Sequence, residues 1–380
     1  MQRTPASPDP YPDGPLRTAL RILAVVAALY VFLASINLLG SGFKLFGAGF
    51  AERLIATTSN PFIGLFIGIL ATSIVQSSSL TTSMTVGFVA SGVLTIENAI
   101  PIVMGANIGT TVTCAIVSMG HIGRKEEFRR AFAAASVHDF FNLISVAVLF
   151  PLELWTGVLS KSARALSRLL VGGEGISFAS PVKLLVGPFV RSIVRCVEGL
   201  SPTHAAALVV AVALLLLFGS LYVLVGRTKA LALGRAEVFI DRFMGRSGIA
   251  GMAVGAGITA IIQSSSVTTS LMVPLAGAGI VKLEKIFPVT LGANVGTTVT
   301  ALLASLAGDS RGLTIALVHL LFNLAGILII YPVKAIRRVP LRLARGLADA
   351  AVRSRRNAIL FVIGLFYALP GLLILIDRLI

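Results

Sequence analysis

Gln76-Ser77-Ser78-Ser79 recurs in this chain as Gln263-Ser264-Ser265-Ser266. Serine and threonine hydroxyls both donate and accept hydrogen bonds, and carboxamides carry both functions as well. Two such strings brought together can hold the oxygens of an anion through O–H and N–H groups. Their own oxygens suit a small hard cation. Such a site buries no permanent countercharge; a cation bound beside the anion would supply it, and the two solutes would be physically linked. A second doubled string extends the inventory. Gly105-Ala106-Asn107 and Gly109-Thr110-Thr111-Val112-Thr113 return as Gly292-Ala293-Asn294 and Gly296-Thr297-Thr298-Val299-Thr300. Asn107, Asn294, Thr110 and Thr111 join the serines as candidate anion donors.

The offset that carries Gln76 to Gln263 also carries Glu97 to Glu284 and Pro101 to Pro288. After a shorter connection, a reduced offset carries His138 to His319 and Asn142 to Asn323. The chain is therefore a duplication. Small polar residues are also common where membrane helices pack closely, which explains any single Ser or Thr. Packing alone does not require the same polar string twice.

These strings need elements to position them, and composition says which. Of 380 residues, 56% are hydrophobic and 13% charged, with mean hydropathy +0.93. This excludes an ordinary soluble domain and a disordered chain. The net charge of +16 could serve nucleic acid, but apolar runs of membrane-spanning length assign it to cytoplasmic loops instead. Candidate spans are 18–39, 99–119, 128–151, 205–225, 286–306, 313–331 and 358–376. Cys114 and Cys196 lie far apart and form no framework. No N-x-[ST] sequon occurs, in keeping with a bacterial source.

Arg3, Arg17 and Arg21 precede the first span, which places the N-terminus inside. Further inside clusters are Arg124 to Arg130, Arg227 to Arg246, and Lys334 to Arg356. Segments 60–90 and 247–277 meet Q-S-S-S midway and are studded with glycine, so they read as re-entrant hairpins. Irregular backbone at membrane depth survives only inside protein or beside a wet cavity. The expected organisation is a disordered tail at 1–15, a first repeat at 16–151 and an external segment at 152–204. A second repeat at 205–332, a basic connection at 333–357 and a final span at 358–380 follow. The expected fold class is an all-α polytopic membrane protein. It has two inverted-topology repeats, each with a re-entrant helical hairpin and a broken transmembrane helix.

Asp139 falls inside the apolar stretch 131–150. An intramembrane carboxylate is costly and functional by default, and it suits a hard cation; the competing reading pairs it with Arg129 or Arg130. His138 and His319 read as packing histidines bonded to neighbours, or as proton-linked groups. Glu97 and Glu284 read as acids in helix first turns. Gly308-Asp309-Ser310-Arg311-Gly312 matches a serine-hydrolase string but lies between two spans, not on a strand–turn–helix. No P-loop is present to drive a pump with ATP. An intramembrane hydrolase and an anion channel are the competing classes, and no enzyme is expected.

With these motifs in view, the chain resembles the type II sodium-dependent phosphate cotransporters. The resemblance spans roughly residues 20–335 and rests on the Q-S-S-S and G-A-N-x-G-T-T-V-T strings and on EEFRRAFAAASVHDFFNLISVAVLFPLE. It implies sodium-coupled phosphate import by alternating access, with a dicarboxylate or sulfate as the alternative anion. Gln76, Ser77, Ser78, Ser79, Ser264, Ser265 and Ser266 would contribute to phosphate. Gln263, Ser264, Thr297, Thr300 and Asn142 would match a sodium site, with Thr113 assigned beside them. Asp139 occupies the position that separates electrogenic from electroneutral members, which implies an extra sodium. Arg124-Lys125 departs from the Asp-Arg of animal members. Phosphate, sodium and membrane lipids are the expected partners, with a homodimer and no nucleic acid. Location in a bacterial inner membrane is expected, with no cofactor beyond the transported sodium.

Overall fold

A computed structural model of the chain describes residues 15–171, 181–243 and 247–379. The expected tail at 1–15 lies outside them apart from Pro15, and so does Arg246. The described residues form helices and short connections, with no strand among them. In chain order the helices are α1 (Pro15–Leu45), α2 (Ala48–Thr57), α3 (Pro61–Val75) and α4 (Ser78–Ser91). Then come α5 (Ile96–Gly109), α6 (Val112–Met119), α7 (Lys125–Thr156), α8 (Val158–Val171) and α9 (Pro181–Arg195). The second half holds α10 (Pro202–Phe243), α11 (Gly248–Ile262), α12 (Ser265–Gly277), α13 (Leu283–Leu306) and α14 (Ser310–Ile330). α15 (Lys334–Arg353), α16 (Arg355–Ile363), a π-helical turn (Gly364–Ala368) and α17 (Leu369–Leu379) close the chain.

Seven of these stretches are long and apolar enough to cross a bilayer: Ala19–Leu45, Ile96–Met119, Lys125–Thr156, Pro202–Arg227, Leu283–Leu306, Ser310–Ile330 and Arg355–Leu379. Each contains or overlaps one expected span. The protein is thus a polytopic integral membrane protein. The apolar segments around Q-S-S-S are two-armed. α3 and α4 meet at Gln76-Ser77, and α11 and α12 at Gln263-Ser264.

Glycine brings each hairpin onto its neighbouring span. α3 lies along α5, and α11 along α13. A Cβ on Gly105 would strike the Leu65 carbonyl oxygen, and one on Gly292 the Met252 carbonyl oxygen. These are equivalent positions of the duplication, so both copies use backbone-to-backbone contact of the small-residue kind. The copies also interleave. α4 of the first packs on α13 and α14 of the second, while α12 of the second packs on α6 and α7 of the first.

One expectation is corrected. A broken span was expected in each copy, but only the first has it: α5 and α6 are separated at Thr110-Thr111, whereas α13 runs through Thr297-Thr298. The reason is a side chain inserted into the helical ladder. Asn142 Nδ2 donates to the Asn107 carbonyl oxygen at 2.7 Å, taking the acceptor that the Thr111 amide would use. Thr111 N–H turns instead to the Ile108 carbonyl at 3.3 Å. In the second copy Asn323 Nδ2 donates to the His319 carbonyl on its own helix at 3.0 Å, so α13 keeps its ladder.

Candidate substrate and ion site

Each hairpin tip is built from the same three features. Gln76 (φ 56°) and Gln263 (φ 60°) are the two non-glycine residues with positive φ among the described residues. Glutamine carries a Cβ into a left-handed region that glycine adopts freely. Such strain persists where the surroundings over-determine it, and it concentrates at functional sites. The next residue caps the second arm. Ser77 Oγ accepts from the Leu80 amide at 3.2 Å, and Ser264 Oγ from the Val267 amide at 3.4 Å. A threonine pair then ties the arms: Thr72 donates to Thr81 at 2.9 Å, and Thr259 to Thr268 at 2.8 Å. With those caps in place, the first-turn amides of α4 and α12 have no carbonyl within their own helix. They form two helix N-termini, each suited to negative charge.

The tips meet. The Ser79 hydroxyl donates to the Gln263 carbonyl oxygen at 3.1 Å. A cavity of about 700 Å³ reaches them, lined by Gln76, Ser77 and Ser264 and, toward its basic end, by Arg21 and Arg227. Ser78, Ser79, Ser265 and Ser266 are buried behind this lining. The structure therefore brings together the serines and glutamines singled out in sequence.

Below the tips the two copies exchange hydrogen bonds. His138 Nε2 donates to Asn294 Oδ1 at 2.6 Å, and Asn294 Nδ2 donates to Asn142 Oδ1 at 2.8 Å. Reciprocally, His319 Nε2 approaches Asn107 Oδ1 at 3.3 Å and Asn323 Nδ2 approaches it at 3.4 Å. Each copy's histidine thus finds the other copy's asparagine. Each histidine is held at Nε2, while its Nδ1 is buried without a hydrogen-bond partner. Asn107 and Asn294, expected as anion donors, use their amides on the Val103 carbonyl and on Asn142. The hydroxyls of Thr110, Thr111 and Thr297 donate to Ala106, Ile108 and Ala293 carbonyls of their own helices. Each keeps oxygen lone pairs for a further donor or a cation.

Oε1 of Gln263, Oδ1 of Asn323 and the hydroxyls of Ser83, Thr113, Ser145 and Thr300 are buried without a hydrogen-bond partner, and the Asp139 carboxylate has only the Thr111 side chain beside it. A buried polar atom without a partner is rare and calls for a ligand or a functional reason. Asp139 is fully buried. It is not paired with the arginines nearby: Arg129 meets Glu126 and Asp349, and Arg130 donates to the Gly277 carbonyl. Among the described residues no group of three or more His, Cys, Asp or Glu could hold a metal ion. The donor set here is hydroxyl, carboxamide and one carboxylate, the oxygens that alkali and other hard cations prefer.

Sequence reasoning missed two features. The arm-tying threonines, Thr72–Thr81 and Thr259–Thr268, obey the duplication offset and could have been found by it. Glu97 and Glu284 do lie in helix first turns, but each also pairs across the fold, with Arg164 and Arg345. The Gly308–Gly312 string is structural: Asp309 caps α14 by accepting from the Arg311 and Gly312 amides.

Paired re-entrant tips, interleaved copies and a buried oxygen-lined centre define a membrane transporter scaffold, and comparison with known proteins sharpens this. The sequence profile of the Na+/Pi-cotransporter family matches residues 31–174 and 215–352, one stretch for each copy. The chain belongs to that family. It is 35% identical to sodium-dependent phosphate transport protein 2A of Ovis aries, over 93% of this chain and 67% of the relative. The same protein of Rattus norvegicus is 35% identical over the same shares. Sodium-dependent phosphate transport protein 2B of Homo sapiens is 32% identical, over 92% of this chain and 64% of the relative. No solved structure matches the chain.

Proposed function

We propose that this protein imports inorganic phosphate coupled to sodium, by alternating access around the two hairpin tips. The observation that carries the reading is the meeting of two identical tips, each with a strained glutamine, a capping serine and a helix N-terminus, at the end of a cavity. Phosphate would sit on Ser77, Ser78, Ser79, Ser264, Ser265 and Ser266 with the first-turn amides of α4 and α12. Gln76 would close over it. Asn107, Asn294, Thr110 and Thr111 would hold that centre from below. Sodium would take oxygens of Gln263, Ser264, Thr297, Thr300, Asn142 and Thr113. The unpartnered oxygens of Gln263, Thr113 and Thr300 support that set. Names of the relatives, all sodium-dependent phosphate transport proteins, favour phosphate over a dicarboxylate or sulfate.

Span counting supports inversion. The first copy crosses at α1, α5–α6 and α7 and dips once at its hairpin, so the second begins on the opposite side. The basic clusters support a cytoplasmic N-terminus, and the proposed location is a bacterial inner membrane. The cavity's Arg21 and Arg227 lie on that side, so the site opens inward.

Asp139 would hold an additional sodium and make the cycle electrogenic; its carboxylate is fully buried with no basic partner, and the Thr111 side chain lies beside it. Its counterpart in the second copy is Leu320, so one extra ion site is expected, not two. Purified protein in proteoliposomes, given an imposed inward sodium gradient, is expected to accumulate phosphate. Uptake indifferent to sodium, or faster for succinate than for phosphate, overturns the reading. Asp139→Gly is expected to abolish the uptake current and leave part of the phosphate flux; an unchanged current overturns the extra-ion role.

A further inference from the structure

The duplication also places one pocket beside each copy, at opposite ends of the molecule, and the two have diverged. The first, of about 340 Å³, lies between α5, the end of α7 and the start of α8. Its charged lining is Glu97, Glu153 and Lys161. Glu153 is spent on capping α8, accepting from the Leu159 and Ser160 amides at 2.6 and 3.2 Å. The second, of about 590 Å³, lies between the N-terminal ends of α11, α13 and α15. Lys285, Arg337, Arg338, Arg342 and Arg345 line it, against the single carboxylate of Glu284. The repeat offset matches Thr156 with Arg337, Gly157 with Arg338, and Lys161 with Arg342. One architecture thus carries an acidic balance at one end and a strongly basic one at the other.

Two of the lining arginines are left without an acidic partner. Glu284 is taken by Arg345. Arg337 stands over the Tyr331 ring at 4.8 Å. Arg338 and Arg342 have no acidic partner among the described residues. A cytoplasmic excess of positive charge is general for membrane proteins, but that rule asks for a number of charges, not for their convergence on one concavity. Guanidinium groups match phosphate oxygens in bidentate geometry.

The surface beside the pocket says what carries the phosphate. α15 buries Leu341, Ala344, Ala348 and Ala351 against the protein. It exposes Ile336, Val339 and Leu343, which lie at helical spacing on one stripe next to the arginines. An interfacial helix with arginines and an open apolar stripe suits a lipid, with its headgroup in the pocket and acyl chains along the stripe. A free phosphate ion would need no such stripe. We propose that the pocket between α11, α13 and α15 binds the phosphate of an anionic glycerophospholipid, held chiefly by Arg338 and Arg342. This site is separate from the hairpin tips, and its test does not depend on transport.

The test is native mass spectrometry of the full-length protein, titrated with phosphatidylglycerol or with phosphatidylcholine. The wild-type protein is expected to retain phosphatidylglycerol in preference. The Arg338→Gln/Arg342→Gln double variant is expected to lose affinity for it by about thirtyfold, roughly fivefold for each arginine. Arg338→Lys/Arg342→Lys keeps the charge without the bidentate fork and is expected to restore part of the preference, which separates lost charge from lost folding. Arg355→Gln/Arg356→Gln removes equal charge outside the pocket and is expected to leave binding unchanged. Equal retention of the two lipids, or equal loss from both glutamine pairs, overturns the site. Release of the lipid by millimolar inorganic phosphate, with the arginines protecting bound phosphate in phosphatidylcholine alone, assigns the pocket to the free ion and overturns the lipid.

Discussion

The two copies of this molecule agree in their hairpins and differ in the helices that support them. Both tips hold a left-handed glutamine, a capping serine and a threonine pair. Both hairpins lie on a span at glycine contacts. Yet α5–α6 is interrupted where α13 is continuous, and Gln76 is exposed where Gln263 is half-buried. Identical local sequence therefore takes two tertiary settings in one chain. The inverted-repeat reading proposed above asks for such a difference, because equal copies in equal conformations would leave the site open to both sides or to neither.

The largest expected effect tests the similarity. Gly105→Val and Gly292→Val each push a side chain into a carbonyl of the facing helix. Backbone cannot yield there as a flexible side chain would, so each should destabilise the protein by more than about 3 kcal/mol. Thermal unfolding in detergent and expression yield report it. Comparable losses at both positions support equal packing in the two copies. A mild effect at one of them breaks the equivalence.

A smaller pair of substitutions tests the difference. Asn142 bridges the Asn107 carbonyl and the Asn294 carboxamide in a buried setting. Asn142→Ala takes the acceptor from Asn294 Nδ2 and the side-chain donor from the Asn107 carbonyl, at a cost of roughly 2–4 kcal/mol. It also frees the Asn107 carbonyl to accept the Thr111 amide, so slower hydrogen exchange at Thr111 is expected as α5 and α6 join. Asn323 makes one good bond on its own helix and one long approach to Asn107, so Asn323→Ala should cost about 1 kcal/mol. Equal costs, or no change in exchange at Thr111, would mean that the interruption has another origin.

How far sequence could reach follows from the same residues. The hairpins were legible because Q-S-S-S repeats letter for letter and interrupts an apolar run. The spans were legible from length and hydropathy alone. The candidate residues stood out as a set because duplication marks them out from ordinary small polar residues, and the fold brings their serines and glutamines to one place. The interruption at Thr110-Thr111 was not, because the same threonines stand in α13 without breaking it. What breaks α5–α6 is a side chain from α7 more than a full helix away in sequence. The pairs Glu97–Arg164 and Glu284–Arg345 were hidden for a related reason. Their acids follow one offset and their arginines another, so the correspondence emerges only when the helices stand side by side.

The smallest effect separates the two tips. Both glutamines are left-handed, so substitution by glycine removes the side chain without adding backbone strain. Gln263 Oε1 is buried without a partner, whereas Gln76 is exposed on the cavity wall. If Gln263 is a cation ligand, Gln263→Gly should raise the sodium concentration for half-maximal phosphate uptake by about tenfold, the scale of one lost polar contact. Gln76→Gly should shift it by less than about threefold and act on phosphate instead, since an exposed amide gives up little when water can replace it. Uptake measured across sodium at fixed phosphate, then across phosphate at fixed sodium, distinguishes the two. Equal sodium shifts from both variants would make the tips equivalent in ion binding. The asymmetry would then belong wholly to the supporting helices.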